Sequence, residues 1–211
     1  MKKLLVVMLL AVAMVVPAFA SKDSKFDVVG KIGLIASPSY SSQFRTETDW
    51  PIYKGDADNS FAIAVEGYYK FDEKLSVGLG LSYGFESKLS SPYDNTYFYD
   101  DGEAKLGFTN IYVSVKPSLF ESIYAIGQIG YGLSHGSFYD SYNQGWKKCK
   151  VDGGGLYWGL GAGVEYKSFI FEVLYSVNNA TFEERGNFFG AYDYLFRYST
   201  LNINLGYKFS I

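Results

Sequence analysis

The sole histidine of the chain lies two residues before a serine, His135 and Ser137 in SHGSFYD. An imidazole that takes the proton of a neighbouring hydroxyl makes it a nucleophile suited to ester hydrolysis. Two acidic stretches, GDADNS (55–60) and YDDGE (99–103), gather carboxylates. Their spacing matches no defined calcium loop, so they read as solvated acidic segments. Cys149 is the single cysteine, which excludes an internal disulfide and leaves a lone thiol. The remaining candidates are eight charges inside otherwise apolar segments: Asp27, Glu66, Glu165 and Glu172 against Lys31, Lys70, Lys116 and Lys208. Formal charge is −3, and the chain carries no zinc spacing, phosphate-cradling glycine motif or Lys/Arg cluster. Neither a cofactor nor a nucleic-acid partner is expected.

The segments that hold these charges alternate with period two. In LSVGLGLSYGF (75–85) every odd position is large and apolar, and every even position is Ser or Gly. The same pattern reads through 26–36, 61–71, 107–116, 123–134, 156–166, 169–177 and 201–209, with the alternation least clean in 123–134. Such alternation predicts eight strands. The connections after the second, fourth and sixth are short: Asp72-Glu73-Lys74, Pro117 to Ser122, and Lys167-Ser168. Those after the others run to about twenty residues, long for a compact soluble domain.

The first twenty residues carry Lys2 and Lys3, an apolar run from Leu4 to Val16, then Pro17 and Ala18-Phe19-Ala20. This is the layout of a cleaved export signal, which leaves 21–211 as the mature domain. The mature sequence has no apolar run long enough for a spanning helix of ~20 residues, so a membrane would have to be crossed by strands. Each strand has about nine to twelve residues, against the ~9–11 that a tilted crossing needs, and short turns on one rim with long loops on the other are the mark of a transmembrane barrel. The fold expected is therefore an all-β, eight-stranded antiparallel transmembrane β-barrel with short periplasmic turns and long extracellular loops. A soluble ligand-binding barrel is the competing fold.

Eight strands leave an interior only wide enough for side chains to fill. Pairing Phe71 with Leu75 puts Glu66 opposite Gly80, and pairing Tyr166 with Phe169 puts Glu172 opposite Gly163. Buried charges must be paired to be tolerated, so the eight charges are expected to form a lumenal network of salt bridges that plugs the barrel. Asn110, Gln128, Asn202 and Asn204 are expected hydrogen-bond partners. Aromatics near strand ends (Phe61, Tyr69, Phe71, Tyr83, Phe85, Tyr166, Phe169, Tyr207 and Phe209) fit interfacial girdles.

NLGYKFSI (204–211) resembles the C-terminal signature of bacterial outer-membrane proteins, carried by Asn204, Gly206, Phe209 and Ile211. With GLGAGVEY (159–166), the mature chain resembles the small eight-stranded outer-membrane barrels of the OmpA/OmpX and porin-like kind. The resemblance implies an outer-membrane location among lipids and lipopolysaccharide, and recognition of the last strand by the barrel-assembly machinery. It also implies roles in envelope structure, adhesion or host-factor binding rather than a reaction. SPYDNTYFYDDGE, GSFYDSYNQGW and FFGAYDYLFRY add Tyr-rich loops suited to contact with a surface ligand. His135 and Ser137 resemble the H-x-S-N motif of eight-stranded lipid A deacylases, which complete the site with a glutamate. Phe138 replaces the Asn here, and Glu165, the nearest downstream glutamate, belongs near the opposite rim. A lipid A esterase and a small-solute channel are the alternatives to the structural and interaction role.

Overall fold

The computed structural model describes residues 25–44, 53–90, 104–140, 147–186 and 190–210. The export signal, the acidic stretch 99–103 and Ile211 lie outside them. Ten strands follow one another: β1 (Phe26–Phe44), β2 (Tyr53–Asp56), β3 (Ser60–Lys70), β4 (Leu75–Gly84), β5 (Ser87–Lys88), β6 (Lys105–Pro117), β7 (Ile123–Asp140), β8 (Lys147–Tyr166), β9 (Phe169–Gly186) and β10 (Gly190–Ser210). Eight of them pair antiparallel in the order β1-β3-β4-β6-β7-β8-β9-β10, and β10 returns to β1 to close the ring. β2 and β5 are short additions, on β1 and β6 respectively. Closure leaves no free edge around the ring, the condition for burying strands in hydrocarbon. No helix of the described residues is long and apolar enough to cross a membrane.

The short turns set the register. Asp72 accepts hydrogen bonds from the amides of Lys74 and Leu75 at 2.7 and 2.8 Å, closing the β3–β4 turn. Phe71 donates to the Leu75 carbonyl at 3.0 Å, and Glu66 pairs with Gly80. In the two-residue β8–β9 turn Lys167 takes a left-handed φ of 57°, and Glu172 pairs with Gly163. Both alignments are those expected from the sequence.

Alternation then sorts the side chains. Outward on β4 lie Leu75, Val77, Leu79 and Leu81, with Leu79 69% exposed. Ile32, Ile111, Ile129 and Leu160 face the same way from their strands. A large apolar outer surface of this kind needs lipid to cover it. From Ile123 to Leu133, β7 climbs ten residues, which at ~3.4 Å per residue and ~40° of tilt is roughly 26 Å, against the ~25 Å apolar band of such barrels. On the short-turn rim, rings meet edge to face in two chains, Phe26–Tyr69–Phe71 and Phe169–Tyr207–Phe209.

The long connections are shorter than the sequence suggests, because strands consume them. β1 continues eight residues past Ala36, β7 six past Ser134, and β10 begins at Gly190 inside FFGAYDYLFRY. Cys149 lies on β8, and GDADNS starts in β2. Tyr-rich polar sequence reads as loop, yet tyrosine is a strong strand former once a neighbouring strand offers its ladder.

Candidate functional site

The interior is crossed by the eight charges singled out above. Lys31 of β1 lies 2.5 Å from both Glu66 of β3 and Glu172 of β9. Lys116 of β6 completes the square, 2.7 Å from Glu172 and 3.6 Å from Glu66. Both carboxylates are about 1% exposed. Nearer the short-turn rim a second group forms. Asp27 meets Lys70 at 2.8 Å and Lys208 at 3.9 Å, and Lys208 also bonds Glu165. Four positive and four negative groups thus pair with one another, the inner four shielded from bulk water and the rim group partly open to it at Lys70 and Glu165.

Tyrosines complete the network, and the sequence reading missed them. Tyr68 and Tyr112 donate to Glu66 at 2.7 and 2.8 Å, and Tyr124 donates to Glu172 at 2.8 Å. Lys116 sits over the rings of Tyr68 and Tyr124, 4.2 and 4.9 Å from their centroids. The available signal was parity: Tyr68 stands between Glu66 and Lys70 on the inward face, and Tyr112 shares its face with Lys116. The bare glycines opposite are filled by these rings more than by the carboxylates. A side chain on Gly80 would meet the Tyr112 ring at 2.3 Å, and one on Gly78 the Tyr68 ring at 2.7 Å. Only at Gly163 does the carboxylate also enter, with Glu172 Cγ at 2.8 Å beside Tyr124.

Of the four amides expected to assist, Gln128 joins the charges, donating to Glu66 at 3.2 Å while accepting from Tyr157 at 2.6 Å. Asn110 donates instead to Ser82 at 3.3 Å, and Asn202 to Ser176 and Thr200 at 2.8 and 3.0 Å. Asn204 turns its Oδ1 over Gly33. These amides line a cavity of about 60 Å³ on the long-loop side of the charges. Beyond it, Leu106, Phe108, Ala180 and Tyr198 form an apolar cluster inside the ring. In the C-terminal stretch, Gly206 pairs with Lys31, and a side chain there would touch the Lys31 stem at 3.1 Å. Phe209 is exposed on the outer wall.

His135 and Ser137 project from the outer wall of β7, above Leu133. The His135 ring stacks on Tyr83, centroids 4.8 Å apart and planes within 9°, and it covers the bare face of Gly107. This stack explains why Tyr83 is buried although it belongs to the outward face. Burial holds the His135 imidazole below the ordinary histidine range, and the nearby Glu86 carboxylate partly offsets that. Ser137 is buried on the same face. His135 Nε2 is buried without a hydrogen-bond partner among the described residues, so the nucleophile–base contact with Ser137 is not formed through that atom. Glu165 lies at the other end of the ring, paired with Lys208. The carboxylate near His135 is Glu86, which the sequence did not point to because β4 and β7 are separated by β6.

A closed cylinder of eight tilted strands, apolar outside and charge-paired within, is a transmembrane β-barrel. The family description "outer membrane protein beta-barrel domain" matches residues 4–209, and the chain belongs to that family and to the bacterial outer membrane. Among solved structures it is similar to Ail, the attachment invasion locus protein of Yersinia pestis, at 12% identity over 88% of this chain and 99% of that one, with a TM-score of 0.51. It is also similar to the outer membrane protein OprG of Pseudomonas aeruginosa, at 16% identity over 89% and 97%, with a TM-score of 0.47. No curated protein sequence matches it.

Proposed function

We propose that this barrel is a non-conducting protein of the envelope that presents a surface for attachment. The observation that carries the reading is the projection of its strands. β8 and β10 are 20 and 21 residues long, about twice what a bilayer crossing needs. β1, β7, β8, β9 and β10 therefore stand above the lipid band as a curved sheet, with β2 on one flank. The charge network and the apolar cluster above it support a closed lumen. Ail carries attachment in its name, and attachment suits a barrel whose extra length lies outside the membrane. The partner would be a host or surface ligand, with outer-membrane lipids and lipopolysaccharide around the wall. In biogenesis, the assembly machinery would read Asn204, Gly206, Phe209 and Ile211. Replacing 138–149 with an Asn-Gly turn should abolish adherence of expressing cells to host-cell or matrix surfaces while preserving heat-modifiable gel migration. Unchanged adherence would overturn the reading.

A second reading is ester hydrolysis at the outer wall, favoured by one observation: His135 and Ser137 share a face with Glu86 near the imidazole. Mass spectrometry of lipid A from cells expressing the wild type and Ser137→Ala decides it. Loss of an acyl chain in the first alone would establish the activity.

A further inference from the structure

The aromatic rim at the short turns is broken on one side of the ring. Exposed aromatics mark that end of β8, β9, β10, β1 and β3: Tyr166, Phe169, Tyr207 with Phe209, Phe26, and Phe71. The next three strands, β4, β6 and β7, have none there. Their outward side chains at the same end are Leu75, Pro117 and Ile123. The turn that joins two of these strands differs from the other short turns. Asp72-Glu73-Lys74 and Lys167-Ser168 are polar throughout, whereas the β6–β7 turn carries Leu119 and Phe120. They are 56% and 71% exposed, so packing on the barrel does not account for them. Turn tips are ordinarily built from small and polar residues.

Geometry says what covers them. Ser118 pairs with Tyr124, which sets Leu119 opposite Ile123, the lowest lipid-facing residue of β7. Leu119 therefore continues the apolar wall. Phe120 stands one residue beyond that pair. At ~3.4 Å per residue and ~40° of tilt this is roughly 3 Å past the apolar edge, inside a headgroup layer roughly 5–8 Å deep. The backbone suits that position. The amides of Leu119 and Phe120 donate to the Ile123 carbonyl at 2.8 and 3.1 Å. The Phe120 carbonyl accepts from the Ile123 amide at 3.3 Å and from the Ser118 hydroxyl at 2.9 Å. These groups hold their hydrogen bonds without bulk water, as a turn that enters a lipid layer must.

We infer that the β6–β7 turn is a lipid anchor, with Leu119 at the edge of the acyl chains and Phe120 among the headgroups of periplasmic-leaflet phospholipid. It closes the aromatic rim where β4, β6 and β7 leave it open, and it holds that side of the barrel at its depth. The anchor lies at the end of the barrel opposite the surface proposed for attachment, and either reading can fail alone.

The test uses the mature barrel in vesicles of phosphatidylethanolamine and phosphatidylglycerol. Cys149→Ser removes the single native thiol, and a nitroxide is attached at Leu119→Cys, Phe120→Cys or Glu73→Cys. At 119 and 120, collisions with oxygen, which dissolves in lipid, should exceed those with a water-soluble nickel chelate. At 73, the tip of a polar turn, the order should reverse. Without label, Phe120→Ser should lower the folded-to-unfolded ratio in the same vesicles about tenfold, the scale of burying part of one large apolar side chain. Phe120→Trp should keep the wild-type ratio, and so should Glu73→Ser. A label at 120 that meets the chelate as freely as one at 73 would overturn the anchor, as would an unchanged ratio in Phe120→Ser. A label at 120 shielded from both reagents would overturn it in favour of a protein contact.

Discussion

Lys116 of β6 reaches across the interior to Glu172 of β9, Nζ to Oε1 2.7 Å, although β7 and β8 stand between them in the ring. A contact of this kind needs the sheet from β6 to β9 to be curled on itself, as it is in the closed ring. It therefore ties the energy of the charge network to the curvature of the barrel.

Removing one member of that network leaves its partners buried and short of a counter-charge. Glu172→Ala leaves Glu66 alone to balance Lys31 and Lys116 and should destabilise the barrel by about 3–5 kcal/mol. Urea unfolding in micelles measures the loss, and planar-bilayer conductance of the same variant shows whether the lumen stays closed. A large stable pore in the wild type would refute the plug.

The tyrosines should matter through their hydroxyls. Tyr112→Phe keeps the ring over Gly80 but removes a donor to buried Glu66, with an expected cost of about 1.5–3 kcal/mol. Gly80→Val, by contrast, puts methyl groups into the space of that ring, 2.3 Å from where a side chain would begin. It should block assembly into the heat-modifiable form.

Leu79 and Gly80 report which way the wall faces. A spin label at 79 should meet lipid-soluble quenchers, and one at 80 should be shielded from them. Leu79→Arg should cost about 2–4 kcal/mol, the value for a cation near the midplane of a barrel wall.

The rim should respond to pH through His135. Its folded-state value lies below the ordinary one of ~6.5, with burial the main cause. The unfolded chain therefore binds the proton more readily. Stability from this group is complete above about pH 6.5, and it falls as pH drops from there toward the folded value. His135→Gln should shrink the difference between urea midpoints at pH 5.5 and 7.5.

What the residues alone determined was the ring and its polarity. Alternation in Leu75–Phe85, the Asp72 turn and the Lys167-Ser168 turn are local features, and local features set strand, face and register. They were enough to place Glu66 beside Gly80 and to put Lys31 and Glu172 on the inward side. Tertiary structure decided what meets across the lumen and along the wall. Tyr112 over Gly80, Lys116 on Glu172, His135 on Tyr83 and Glu86 near that imidazole all join strands distant in sequence, and their distances follow from the ring's curvature and tilt. The strand extensions above the membrane were hidden for a related reason. In FFGAYDYLFRY, Gly190, Asp193 and Arg197 break up the apolar signal and the rest is read as binding loop, yet it becomes strand because the neighbouring strand supplies the hydrogen bonds.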